Sequence, residues 1–234
     1  MSGPRPLGCG SGTWALVPVK RLRGALRRLA GALEAPLRRE LQMAMLHDVL
    51  SALAGAPGLA GVMVVTSEPR AAELARALAG ARVVPDHDPP RGMNGAVSRG
   101  LGALADAGAE AALVLTADLP LARPDDVGAI LAAGTPGPSA LLVPSHEGTG
   151  TNAMLLRPPG VIVPRLGPDS LACHLAETAQ AGVPVRRLER PGLALDIDTP
   201  ADLAAFVARG APGATGAACA RLQIAERLGA GSAL

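Results

Sequence analysis

The feature that most constrains this chain is an alternation of short, wholly apolar runs with longer stretches of helical spacing. WALVPV (14–19), VMVVT (62–66), AALVLT (111–116), ALLVP (140–144) and AMLLR (153–157) carry few polar residues, as strands buried on both faces do. Shorter strands are expected at 82–84, 184–188 and 193–197. Between these runs Pro36 opens a helix in which Leu37, Leu41, Met45 and Val49 recur at near-helical spacing. Further helices are expected at 69–79, from Asn94 or Gly95 to about 107, at 125–133, at 170–181 and from Pro200. The pattern predicts an α/β fold with a mostly parallel central sheet flanked by helices, Rossmann-like. Its 234 residues, 49% hydrophobic, suffice for one such domain, expected over 14–209. Residues 1–13 read as a flexible N-terminal segment, and 210–234 as a Gly/Ala-rich linker with one further short helix at 218–228.

Ligands of such sheets bind beyond the carboxyl ends of the strands. The loops after Val19, Thr66, Val84, Thr116 and Ile197 are therefore where chemistry is sought. A net charge of +2 gives no field that implies nucleic acid or an anionic membrane as partner. With Trp14 and Phe206 as the whole aromatic complement, base stacking on single strands lacks its platforms. Cys9, Cys173 and Cys219 are odd in number and form no CxxC pair, so a reducing compartment is expected. The segment MSGPRPLGCGSG has no apolar h-region, and no apolar run nears the ~20 residues that span a bilayer. A cytoplasmic protein is expected, with a homodimer left open.

Asp118 follows an apolar strand, where an isolated aspartate is usually a turn or capping residue. A second acidic site changes that balance. In LALDIDTPADL (193–203), Asp196 and Asp198 are two apart, which in extended chain turns both to one face. Adjacent carboxylates repel unless a cation lies between them. Thr199, Pro200 and Asp202 already supply a helix start, which frees both aspartates for other work. Carboxylates without His or Cys nearby suit Mg2+. Asp118, Asp196 and Asp198 are thus candidate metal ligands.

Lys20 is the single lysine among 22 basic residues and directly follows the first strand, in a loop with Arg21, Arg23, Arg27 and Arg28. A compact ammonium binds phosphate as a point charge, so the loop suits a nucleoside triphosphate. PSHEGTGTNAMLL (144–156) turns through Gly148, Thr149, Gly150 and Thr151. LGPDS (166–170) opens a helix whose Ser170 is expected to cap and whose free amides are expected to attract an anion. GCGSG (8–12) precedes its strand and lacks Gly-Lys-Ser/Thr, so it is no phosphate loop. His47, His87, His146 and His174 show no ligand spacing and read as surface or packing residues.

These elements together resemble a known family. VPVKRL (17–22), AMLHDVL (44–50), VVTSE (64–68), RGMN (91–94), LTADLPL (115–121), PSHEGTGTNAMLLRPP (144–159), LGPDSLACH (166–174) and DIDTPADL (196–203) are similar to the guanylyltransferases of deazaflavin coenzyme F-420 biosynthesis. The resemblance implies a nucleotide-diphospho-sugar-transferase-like fold. It implies condensation of GTP with a small phosphorylated acid (phosphoenolpyruvate, 3-phospho-D-glycerate or 2-phospho-L-lactate), with pyrophosphate released. Residue by residue, it implies Mg2+ at Asp118, Asp196 and Asp198, acceptor contacts at Thr151, Gly167 and Ser170, and nucleotide contacts at Lys20 and Asn94. Lys20 and Asp118 would be catalytic. The chain departs from the family where ALRRL (25–29) puts Leu26 in place of a second lysine, and where Leu166 and Leu171 replace aromatics.

Overall fold

A computed structural model describes residues 11–86, 91–210 and 213–231, the side chains of 229–231 excepted. The apolar runs become β1 (Thr13–Val19), β2 (Leu59–Thr66), β3 (Arg82–Val84), β4 (Ala111–Leu115), β5 (Ser139–Pro144), β6 (Thr151–Arg157) and β7 (Val185–Arg187). They form one sheet in the order β3-β2-β1-β4-β6-β5-β7. β6 runs antiparallel to both neighbours, β4 and β5, and every other pairing is parallel.

Alternate strand residues feed two cores. Ala15, Val17, Val64 and Leu113 pack with α1 (Ala35–Ala54), α2 (Pro69–Ala79) and α4 (Pro124–Ala133). Leu16, Met63, Val65 and Val114 pack on the other face with α3 (Gly92–Asp106) and with Leu171 of α5 (Ser170–Gln180). Both faces are thus covered, which is why the strands read as unbroken apolar runs.

A third cluster lies beside the sheet and gives α1 a second buried side. Its Leu46, Val49, Leu50 and Leu53 face the sheet, whereas Leu41 and Met45 join Leu26, Leu29, Leu195, Ile197, Phe206, Cys219 and Ile224. These come from the loop after β1, from the segment 195–198, from α7 (Pro200–Ala208), from α8 (Ala214–Arg221) and from α9 (Ile224–Gly231).

Two expectations are corrected here. Residues 193–197 are not a strand: Pro191–Ala194 form a short helix, α6, and Leu195–Asp198 follow without a sheet neighbour. Pro191 pre-sets the helical turn. The carbonyls of Leu193 and Ala194 are taken by the Asn152 amide and the His146 N–H, so no strand is needed to satisfy them. Residues 214–216, expected in the linker, are already the first turn of α8. Most of the expected N-terminal flexible segment lies outside the described residues, and Thr13 is already in β1.

Asp48 anchors the last part of the chain. Its buried carboxylate accepts from the Ala214 N–H at 2.7 Å and the Thr215 N–H at 2.8 Å, capping α8 from α1. Asp48→Ala is expected to cost about 2 kcal/mol. It should also speed amide exchange in α8 ahead of the sheet, measured by hydrogen-exchange mass spectrometry.

Candidate active site

The site forms where β4 ends and β6 begins. Because β6 is reversed, its first residues stand beside the carboxyl end of β4, with Leu115 opposite Ala153. The Thr116 N–H donates to the Asn152 carbonyl at 3.2 Å, and the Ile197 N–H donates to the Asp118 carbonyl at 3.1 Å. That second bond joins two segments nearly eighty residues apart in sequence. Asp118, Asp196 and Asp198 consequently line one cavity of about 340 Å³, together with Lys20 and Arg28. Ile197 is fully buried between its two acidic neighbours, so the alternation expected of extended chain persists without a strand. Among the described residues no group of three or more His, Cys, Asp or Glu side chains is arranged to hold a metal ion as it stands. The carboxylates edge an open cavity instead.

The electrostatics of the group are unfavourable as it stands. Burial raises the Asp118 carboxyl to about 7; a nearby Thr116 hydroxyl pulls it down in part, and the charges of Asp196 and Asp198 push it up. Asp118 Oδ1 and Thr116 Oγ1 are both buried without completing a hydrogen bond. Asp198 is also raised, by burial and then by Asp196, against the pull of Arg28, whose Nη1 lies 3.2 Å from Oδ2. Asp196 Oδ1 accepts from Asn152 Nδ2 at 3.1 Å. Carboxylate oxygens lining one cavity, one of them unpartnered, are the donor type that a hard divalent cation takes.

The helix start expected after Asp198 forms as read. The Thr199 hydroxyl accepts from the Asp202 N–H, and the Asp202 carboxylate accepts from the Thr199 N–H.

Thr151, Gly167 and Ser170 meet across the same cavity. Gly150, beside them, has no room for a side chain, since a Cβ there would press on Ser145 Oγ at 2.8 Å. Gly167 adopts φ +132°, a backbone conformation that favours glycine. Ser170 differs from expectation: it is the first residue of α5, and its hydroxyl accepts from the Thr151 N–H at 2.9 Å instead of capping the helix. Nor are the first amides of α5 free. The Ser170 N–H donates to the Gly167 carbonyl and the Leu171 N–H to that of Thr149.

Asn94 does not line this cavity. Its side chain donates to and accepts from the Leu166 backbone, at 3.1 and 2.7 Å, and so braces the loop that carries Gly167.

A second cavity, of about 350 Å³, opens over the loop after β1 and is lined by Arg21, Gly24, Leu26, Arg27 and Gln42. It shares Lys20, Arg28, Met93, Asp118 and Asp198 with the first. Leu26 turns its side chain into the third cluster from a left-handed backbone (φ 48°), and Arg28 carries cationic charge to both cavities. The loop after Thr66 lines neither cavity but supports the loop over which the second opens: Glu68 Oε2 accepts from the Leu22 N–H. Cys173 and Cys219 are free thiols, and Cys9 and His87 lie outside the described residues.

Sequence reasoning missed two residues. Asn152, buried, spends its Nδ2 on Leu193, Ala194 and Asp196 at once. A lone amide at the start of an apolar strand was the available signal. His174, read as a packing residue, is fully buried and bonded through both ring nitrogens.

Known proteins resemble this chain in sequence and in fold. The chain matches the family described as "Guanylyl transferase CofC like" over residues 13–228. It is 44% identical over 197 residues to the phosphoenolpyruvate guanylyltransferase of Rubrobacter xylanophilus, covering 84% of this chain and 94% of that one. It is 42% identical over 198 residues to the Conexibacter woesei protein of the same name, covering 83% and 86%. Among solved structures, a nucleotide-diphospho-sugar transferase-like protein from Desulfovibrio desulfuricans superposes with a TM-score of 0.74 at 16% identity, over 93% of this chain and 99% of its own. A nucleotidyl transferase from Methanothermobacter gives 0.62 at 21% identity, over 85% and 97%. At such identities the structures speak for the fold, and the sequence relatives carry the assignment: this chain belongs to the CofC-like guanylyltransferase family.

Proposed function

We propose that the chain transfers the guanylyl group of GTP to phosphoenolpyruvate in coenzyme F-420 biosynthesis, releasing pyrophosphate. One observation carries this reading: two cavities of similar size meet at a common wall of Lys20, Arg28, Asp118 and Asp198. Two anionic substrates have to be brought together at such a junction. The name shared by the curated relatives supports phosphoenolpyruvate over the other three-carbon acids.

The acceptor phosphate is largely dianionic at neutral pH, its second pKa being near 6, so it attacks without a general base. One of its oxygens bonds to the α-phosphorus of GTP, the bond from that phosphorus to the α–β bridging oxygen breaks, and pyrophosphate leaves. The cavity over the β1 loop takes the nucleotide, with Lys20, Arg21, Arg27 and Arg28 against its phosphates. Thr151, Gly167 and Ser170 orient the acid on the other side. Holding two anions in line, with cations at the junction, lowers the barrier by proximity and charge neutralisation.

Asp118, Asp196 and Asp198 would hold magnesium, which supplies Lewis-acid neutralisation of phosphate charge. The unpartnered Asp118 oxygen and the mutual repulsion of the three carboxylates support that fit.

The test incubates the protein with GTP, Mg2+ and equal amounts of phosphoenolpyruvate, 3-phospho-D-glycerate and 2-phospho-L-lactate, and resolves products by mass. Guanylylated phosphoenolpyruvate should dominate, and EDTA should abolish it. Thermal stabilisation by GTP without turnover of any acid would sink the enzymatic reading; undiminished product in EDTA would sink the metal.

A further inference from the structure

We propose that His174 is a positioning residue that fixes the direction of the Thr151 hydroxyl proton. Thr151, with Ser170, then offers O–H donors to an anionic oxygen of the acceptor acid. The proposal rests on the assignment of this cavity to the acceptor, and it goes beyond that assignment by naming how the cavity tells an anion from a neutral group.

The argument is one of hydrogen-bond bookkeeping. His174 lies in α5 with no exposed surface, and its ring touches two partners. The Arg165 N–H donates to Nε2 at 2.9 Å, and Nδ1 lies 3.0 Å from Thr151 Oγ1. A backbone amide can only donate, so Nε2 must present its lone pair. Burial lowers the ring's pKa to about 4, against a smaller opposing pull from Glu177, so the imidazole is neutral near pH 7. A neutral imidazole has one N–H, which therefore sits on Nδ1 and donates to Thr151 Oγ1.

With that oxygen accepting, the Thr151 proton has no protein acceptor among the described residues. Ser170 repeats the pattern: Oγ accepts the Thr151 N–H, and its own proton is left over. Both residues line the cavity. A carboxylate or phosphate oxygen can accept from them. A ligand group that can only donate finds no partner and is rejected by the cost of burying unmatched donors. His174 also helps to tie the Arg165 end of the loop, beside the Arg165–Glu177 ion pair and the Asn94 brace at Leu166, so one ring bears on both loop position and proton direction.

Two substitutions separate these roles. His174→Gln places an amide oxygen near the Nε2 position, keeping an acceptor for Arg165 and losing the donor to Thr151. His174→Asn places an amide nitrogen near Nδ1, keeping that donor and losing the Arg165 bond. His174→Gln is expected to raise the KM for phosphoenolpyruvate about tenfold, with the KM for GTP within about twofold of wild type. His174→Asn should leave the phosphoenolpyruvate KM near wild type even if it melts earlier. Thr151→Val should match His174→Gln, and the double variant should be no worse than Thr151→Val alone.

Equal KM increases in the two His174 variants, an equal increase for GTP, or additive effects in the double variant would overturn the proposal. The tautomer itself is read on the ligand-free wild type by long-range 15N–1H correlation of the labelled imidazole. The neutral Nδ1–H form is expected near pH 7, and the Nε2–H form overturns the proposal whatever the substrate. A wild type with the expected tautomer but no turnover of phosphoenolpyruvate would refute the acceptor assignment instead, so the two failures are distinguishable.

Discussion

Asp118→Asn is expected to lower pyrophosphate release from GTP and phosphoenolpyruvate by about 10³-fold, in a protein that stays folded. Asp198→Asn should act in the same direction. Each removes a charged oxygen from the common wall of the two cavities while keeping its shape. Near-normal turnover in both variants would refute the metal-holding role.

The first substitution should also make the metal-free protein more stable at pH 8, because a buried carboxylate beside Asp196 and Asp198 is replaced by a neutral amide. The sign follows from linkage. The folded chain holds the Asp118 proton up to about pH 7, whereas the unfolded chain releases it near 3.8, so this group's contribution falls as pH rises between those values. His174 works the other way: its pKa drops from 6.5 to about 4 on folding, so its contribution grows with pH over that interval. The two oppose each other in the wild type, and Asp198, also raised, acts in the same direction as Asp118. In Asp118→Asn the melting temperature in EDTA should climb from pH 4 to 6.5 more steeply than in the wild type; parallel curves would contradict the assignment of burial to Asp118.

Asn152→Asp should be the most damaging isosteric change in the chain. The wild-type amide donates to two carbonyls and to Asp196 from a buried position. An aspartate would turn a carboxylate toward three acceptors, a buried and unpaired charge of the kind that costs about 3–5 kcal/mol. A melting temperature about 10 °C lower at pH 7 is expected for a domain of this size. The deficit should shrink as pH falls and the new carboxyl takes up a proton. Activity should be lost even where the protein is folded, because α6 and Asp196 lose their common support. Unchanged melting and turnover would show that the three hydrogen bonds are dispensable.

The sheet was legible because its strands are buried on both faces and therefore uniformly apolar, and the helices because Pro36 and Pro200 mark their starts. Asp118 was legible from the rule that ligands sit beyond strand ends, whereas Asp196 and Asp198, read as ending a strand that does not form, reach the same cavity through the bond from the Ile197 N–H to the Asp118 carbonyl. The rest was hidden for specific reasons. LALDI has the composition of a strand, but Asn152 and the His146 amide take its first two carbonyls, and such tertiary partners leave no local trace. Ser170 has the right type and place for a helix cap, yet Thr151 claims its oxygen from another element. Asn94 stands in a motif that suggested a nucleotide contact, and the structure turns its amide toward Leu166. Gly/Ala-rich sequence after 210 suggested a linker, whereas Cys219 and Ile224 complete the cluster that also contains Leu195 and Ile197.

The reversed course of β6 has an evolutionary consequence. Parallel neighbours need a helix-bearing crossover, but β5 and β6 are joined by a bare hairpin whose Ser145, Glu147, Thr149 and Gly150 form part of the cavity wall. Lengthening or recomposing such a turn adds little closure entropy and leaves the order of the strands untouched. The half of the site proposed to meet the acid can therefore diversify by small insertions, while the half proposed to meet the nucleotide stays tied to β1 and β4. Grafting the 145–150 hairpin between relatives is the shortest route to a changed acid preference on an unchanged scaffold.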